Sequence, residues 1–148
     1  MTDALEFALL IRKAVDGTVR GVTSTDFLVN GESLLRLLVK QDGGHGDFMG
    51  CFVYGQSDSN QKAKDRLLSA APSETEEGRV LLYICPECGD IGCGAYAARI
   101  RKQTTTVEWH DFAYENGYEA GRSIPEVGPF IFDAKDYERV ISKAASAA

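Results

Sequence analysis

The run Cys85-Pro86-Glu87-Cys88-Gly89-Asp90-Ile91-Gly92-Cys93-Gly94 limits what this chain can fold into more than any other part of it. A helix through it would have to carry Gly89, Gly92 and Gly94, each costing about 1 kcal/mol relative to alanine in a helix interior. Glycines at these positions instead let the backbone fold back on itself. The preceding Val80-Leu81-Leu82-Tyr83-Ile84 is continuously apolar, as in a strand covered on both faces. Residues 95–101 and 104–112 read as two further strands around the polar turn Lys102-Gln103. In the second of these, alternation puts Val107 and Trp109 on one side and Glu108 and His110 on the other. An antiparallel meander over residues 79–112 is therefore expected.

The remainder of the chain supplies the other layer. Leu5, Phe7, Leu9 and Ile11 alternate as in a half-buried strand, although Ala4, Ala8 and Leu10 also suit a helix. Residues 26–29 read as a short strand turning at Asn30-Gly31, before a helix over 32–41 that carries Leu34, Leu35, Leu37 and Leu38 and ends near Asp42-Gly43-Gly44. Residues 43–56 read as a glycine-rich loop leading into a short extended piece, and a second helix over 61–71 follows cap residues at 57–60. Residues 72–77 form a polar linker, and 115–129 read as a surface loop. Asp133 is a natural N-cap for a last helix from 134 to about 145, whose apolar stripe is Tyr137, Val140 and Ile141. The expected fold is α+β: one domain over 1–148, with an antiparallel sheet and two to three helices packed on it.

At 148 residues the chain is long enough to bury a core without staples. Its formal charge of −6 argues against nucleic acid, because phosphate binding needs a basic surface. That balance suits a basic protein partner, and it also serves solubility. The apolar run from Phe7 to Ile11 is short and follows Asp3 and Glu6, so neither a membrane span nor an export signal is visible and a cytoplasmic location is expected. Of four cysteines, three fall within nine residues. Such clustering does not suit a secreted disulfide framework and points to reduced thiols or a metal.

The thiols admit three readings. Cys85 and Cys88, two residues apart and followed by glycine, can place both sulfurs on one zinc ion, with Cys93 as a third ligand. The fourth would have to be Cys51, His45 or His110. In a redox reading, Cys-Pro-Glu-Cys after an apolar strand is similar to the thioredoxin arrangement, but the glycines oppose the helix that would lower the first thiol's pKa. In the third reading the cysteines are small buried hydrophobes in a tight strand connection. Trp109, Phe112, Tyr114 and Tyr118 suit either an aromatic surface or, for Trp109 above all, the core. The sequence has no phosphate loop, dinucleotide fingerprint or serine nucleophile elbow.

The run from Arg79 through Cys85-Pro86-Glu87-Cys88-Gly89-Asp90-Ile91-Gly92-Cys93 to Ala95, then Val107 to Phe112, Glu115-Asn116-Gly117-Tyr118 and Val127-Gly128-Pro129-Phe130-Ile131-Phe132-Asp133 with Tyr137, resembles a family of small uncharacterised bacterial proteins. Some of its members carry an oxidoreductase label. The resemblance implies that the thiol turn, the strand bearing Trp109 and the approach to the last helix pack as one unit. It names no function.

The function expected from these features is a non-catalytic acidic module that binds a protein, in its most concrete form an immunity protein neutralising a cognate bacterial toxin with a basic domain. Glu74, Glu76, Glu77, Asp111, Glu115 and Glu119 are the candidate contact residues. The alternative is a zinc-binding or thiol-redox protein working through Cys85, Cys88 and Cys93.

Overall fold

The computed structural model describes residues 2–12, 21–44, 46–73, 75, 77–85, 94–116 and 121–148. In chain order the elements are β1 (Leu5–Arg12), β2 (Val22–Val29), β3 (Glu32–Ser33), α1 (Leu34–Asp42), β4 (Met49–Gly50), α2 (Ser57–Leu67), β5 (Val80–Ile84), β6 (Ala95–Lys102), β7 (Thr106–Glu115), β8 (Arg122–Ser123), β9 (Phe130–Asp133) and α3 (Ala134–Ala147). The fold is α+β with two antiparallel sheets, one of three strands in the order β1-β2-β3 and one of six in the order β4-β5-β6-β7-β8, with β9 also on β7. The meander is β5-β6-β7, and Ile84 pairs with Ala95, which pairs in turn with Glu115.

Ten residues make β7 long enough to serve two partners besides β6. Its first half pairs with β9, from Thr106↔Asp133 to Trp109↔Phe130, and its second half with β8 at Ala113↔Ser123 and Tyr114↔Arg122. The β6 register shifts between Ala97 and Arg99, opposite Asp111, whose φ of 53° is left-handed. This bulge turns the strand between its two partners.

Main-chain bonds join the two sheets at both ends. Thr25 N donates to Phe52 O (3.0 Å) and Tyr54 N to Thr23 O (2.9 Å), linking β2 to the chain just after β4. At the other end Asp3 bridges Phe132 in parallel, and its amide donates to Ile131 O at 2.6 Å. The pairings thus run in a circuit from β1 through β2, β4, β5, β6, β7 and β9 back to the residues before β1.

Aromatic rings from both sheets meet edge to face. Phe27 on β2 lies 5.3 Å from Trp109 and 6.3 Å from Tyr83, and Trp109 lies 5.2 Å from Phe132 and 6.0 Å from Tyr137 of α3. Trp109 is fully buried; its indole N–H donates to Tyr137 Oη (3.1 Å), which donates to Leu67 O at the end of α2 (2.6 Å). Two helices and the long strand are tied through one phenol.

The helices follow their caps. Ser33 accepts from Arg36 N to open α1, which stops at Gly43 in the left-handed region, and Asp133 accepts from Asp136 N to open α3. Tyr137, Val140 and Ile141 are buried as the stripe requires, together with Ala144. The second helix differs from expectation, running over Ser57–Leu67 instead of 61–71. Asn60 lies inside it and exchanges two bonds with the Val53 backbone (2.8 and 2.9 Å), so its side chain pins the preceding loop instead of capping. Residues 115–129 also differ from a plain surface loop: β8 forms there, and Ile124 and Val127 are buried.

Candidate functional site

Arg79 stands immediately before β5 and points into the sheet, with 5% of its side chain exposed. Its position is fixed locally, since its amide donates to Thr75 Oγ1 (2.8 Å) and Thr75 Oγ1 donates to its carbonyl (2.9 Å). Its guanidinium gathers three carboxylates. Nη1 donates to Glu77 (2.5 Å), Nη2 to Asp111 Oδ2 (2.9 Å) and Nε to Asp111 O (3.0 Å), while Glu115 Oε2 lies 3.8 Å from Nη1. The left-handed backbone at the β7 bulge lets Asp111 present both its carbonyl and its side chain to one arginine. Asp111 Oδ2 also takes Arg99 Nε at 2.8 Å, and Glu77 Oε1 accepts from Gly121 N at 3.1 Å.

The three acids are not equivalent. The Gly121 amide, and then Arg79, hold the Glu77 carboxyl below the usual range. Glu115 is buried, and desolvation pushes its carboxyl up against the opposing pull of Arg79. Among the described residues its Oε2 has no hydrogen-bond partner. Glu77 and Asp111 keep about a third of their side chains exposed, at 37% and 32%. Beside Asp111 opens a recess of about 240 Å³ whose other walls include Phe112, Ile124, Pro125, Val127 and Pro129. The Asp111 carboxylate at its rim is already shared between Arg79 and Arg99.

The thiol end of the sheet is built separately. Cys85 follows β5 as a half-buried free thiol. Because Ile84 pairs with Ala95, the thiol run connects two adjacent antiparallel strands. Gly94 has φ of 111°, and a Cβ there would overlap the Tyr114 hydroxyl. Tyr114 in turn lies under Arg122, whose guanidinium is 4.7 Å from its ring and pairs through two bonds of 2.8 Å with Asp42. Tyr96 Oη donates to the same carboxylate at 3.0 Å, and burial, then Asp42, push that phenol up.

Of the six acids singled out by sequence, Glu77, Asp111 and Glu115 meet at Arg79, whereas Glu74, Glu76 and Glu119 lie outside the described residues, as do Cys88, Cys93 and His45. The other two proposed fourth ligands sit apart from Cys85. Cys51 N donates to Leu82 O (3.0 Å), three residues before Cys85, or about 10 Å along an extended chain. His110 pairs with Arg99, five residues and about 16 Å along the strand from Glu115, which pairs with Ala95 at the thiol end. Among the described residues no three His, Cys, Asp or Glu side chains are placed to hold a metal. Arg79, Arg99, Asp42 and Arg122 were not singled out by sequence. For Arg79 a signal existed, an arginine flush against a strand apolar on both faces.

The class these observations define is an α+β protein with a circuit of antiparallel strands and an arginine-centred carboxylate cluster at one bulge. No family model, curated protein or solved structure matches the chain. Among the described residues no helix is long and apolar enough to cross a membrane.

Proposed function

We propose that this chain is a non-catalytic protein-binding module whose acidic surface receives a basic partner, most concretely an immunity protein that occludes the basic site of a bacterial toxin domain. The observation that carries the reading is the convergence of Glu77, Asp111 and Glu115 on Arg79 beside an apolar recess. Carboxylates held by internal bonds lose little freedom on binding, which favours them as fixed counterparts of a partner's cations. Two further candidate acids, Glu74 and Glu76, lie within three residues of Glu77 in the chain. The test is affinity capture from the host with the wild type and Asp111→Asn, because asparagine tolerates the left-handed backbone while removing the charge. A basic protein held about tenfold more weakly by the variant is the expected result. Failure to capture a basic partner, together with no protection of cells from a toxin encoded beside the gene, would overturn the reading.

The zinc or thiol reading draws on one observation, that the two ends of the thiol run are joined across a strand pair at Ile84↔Ala95. It requires zinc or exchangeable thiol chemistry that disappears when Cys85, Cys88 or Cys93 is replaced by serine. Metal analysis and thiol titration of the purified full chain, before and after each replacement, decide it.

A further inference from the structure

Helix α2 stops at Leu67, and the chain leaves it through Ser69, whose φ of 59° is left-handed. Between that exit, the turn from β6 to β7 and the first turn of α3 lies a cavity of about 400 Å³. Leu67, Leu68, Val107, Ala134 and Tyr137 supply its apolar wall. A volume and a lining of this kind suit a small molecule.

The three walls are bonded to one another. Tyr137 Oη donates to Leu67 O (2.6 Å), which joins α3 to α2, and Ala134 N donates to Thr105 O (2.9 Å), which joins α3 to the turn. Gln103 N donates to Thr106 O at 2.8 Å and closes the turn itself. Because Tyr137 Oη also accepts from Trp109, that hydroxyl is engaged by the fold on both sides. A cavity held open by bonds among its own walls loses little freedom when it takes a ligand.

The charges at its mouth select the ligand. Lys102 pairs with Val107 across β6 and β7, so its side chain leaves the sheet on the same side as that buried valine. Its neighbour Arg101 pairs with Glu108 on the opposite face and is bound to it at 3.1 Å. Lys135, the second residue of α3, comes from the facing wall. Both lysines are exposed, and among the described residues neither takes part in an ion pair. Glu138 is the one acid on the lining, so the balance at the mouth is positive on a chain whose formal charge is −6. We propose that this cavity binds a small organic carboxylate, with its apolar body against Leu68, Val107 and Ala134 and its charge between Lys102 and Lys135. A cation of the same shape would meet two like charges there. The proposal stands apart from the carboxylate cluster at Arg79 and does not depend on a protein partner.

Titration of the isotope-labelled full chain with phenylacetate, followed through amide chemical shifts, tests this, and phenethylammonium supplies a matched ring with the opposite charge. Phenylacetate is expected to saturate at about millimolar concentration or below, moving the amides of Leu68, Thr104 and Lys135 together, while phenethylammonium leaves them in place. Lys102→Glu and Lys135→Glu should each raise the dissociation constant by about fivefold or more, and Glu138→Gln should lower it by about twofold. Lys143→Glu, at an exposed position of α3 off the lining, should leave it unchanged. All four exchanges fall at exposed positions, and circular dichroism shows that the variants are folded. No saturable shift at the three amides, equal binding of the cation, or an affinity indifferent to both cavity lysines would overturn the proposal. So would a loss in Lys143→Glu as large as theirs.

Discussion

The phenol of Tyr83 on β5 donates to the carboxylate of Asp26 on β2, and its oxygen accepts from Phe27 N at 3.1 Å, so one side chain satisfies both sheets where they face each other. Asp26 also accepts from Ser33 Oγ at 2.6 Å, which ties the same carboxylate to the cap of α1. Burial, and then the neighbouring Asp26, push the phenol's pKa well up, so it remains a donor throughout the accessible pH range. Tyr83→Phe would keep the ring packing against Phe27 and leave a buried carboxylate and a backbone amide short of a partner. The expected loss is about 2 to 3 kcal/mol in urea denaturation, larger than a typical surface change.

Glu115 gives a pH dependence of definite sign. Its folded-state pKa is raised, so the native state binds the proton more readily than the unfolded chain, and stability falls as pH rises through the raised value. Glu115→Gln should remove that fall. Denaturation midpoints from about pH 4 to pH 7 should show the variant gaining on the wild type as pH rises, because glutamine never brings a charge into the site.

Asp42 behaves in the opposite way. The Arg122 guanidinium holds its carboxyl below the usual range, with Tyr96 adding to the effect. Its contribution is therefore complete above the unfolded carboxylate value near 3.8 and is lost as pH falls through the lower folded value. Asp42→Asn should cost about 1 to 2 kcal/mol at neutral pH, with Arg122 largely exposed and partly screened, and the difference from wild type should shrink in acid. A two-bond pair that contributed nothing would show no such convergence.

The meander, the last helix and the fold class were legible because each rests on local chemistry. Val80 to Ile84 are apolar without interruption, Val107 and Trp109 alternate with Glu108 and His110, and Asp133 caps a stripe of Tyr137, Val140 and Ile141. Asn60 misled the reading of α2, because its cap-forming side chain serves a long-range role at Val53 that spacing does not record. The acids of the site could be singled out by charge, but their grouping could not. Glu77, Asp111 and Glu115 meet only because a bulge in β7 turns Asp111 toward an arginine 32 residues earlier in the sequence. Likewise, the alternation of Leu5, Phe7, Leu9 and Ile11 marks a strand but does not say that its second half leaves the core, where Leu9 and Ile11 are exposed.

Closure of the strand circuit places a further demand on one residue. Gly50, the last of β4, donates its amide to Ser24 Oγ at 2.9 Å, and a Cβ there would overlap the Thr25 carbonyl oxygen. Thr25 is itself bonded through its amide to Phe52, so neither backbone can retreat without breaking the link between the sheets. Gly50→Ala is expected to destabilise the fold by about 3 kcal/mol, as overpacking against a fixed backbone does. Gly55 supplies the control, because its φ of 90° also favours glycine but no atom lies within 4 Å of its missing Cβ. Gly55→Ala should cost only about 1 to 2 kcal/mol of left-handed strain, and urea denaturation of both variants would separate the two causes. If the two losses were equal, close approach of the sheets at Gly50 would not be what closes the circuit.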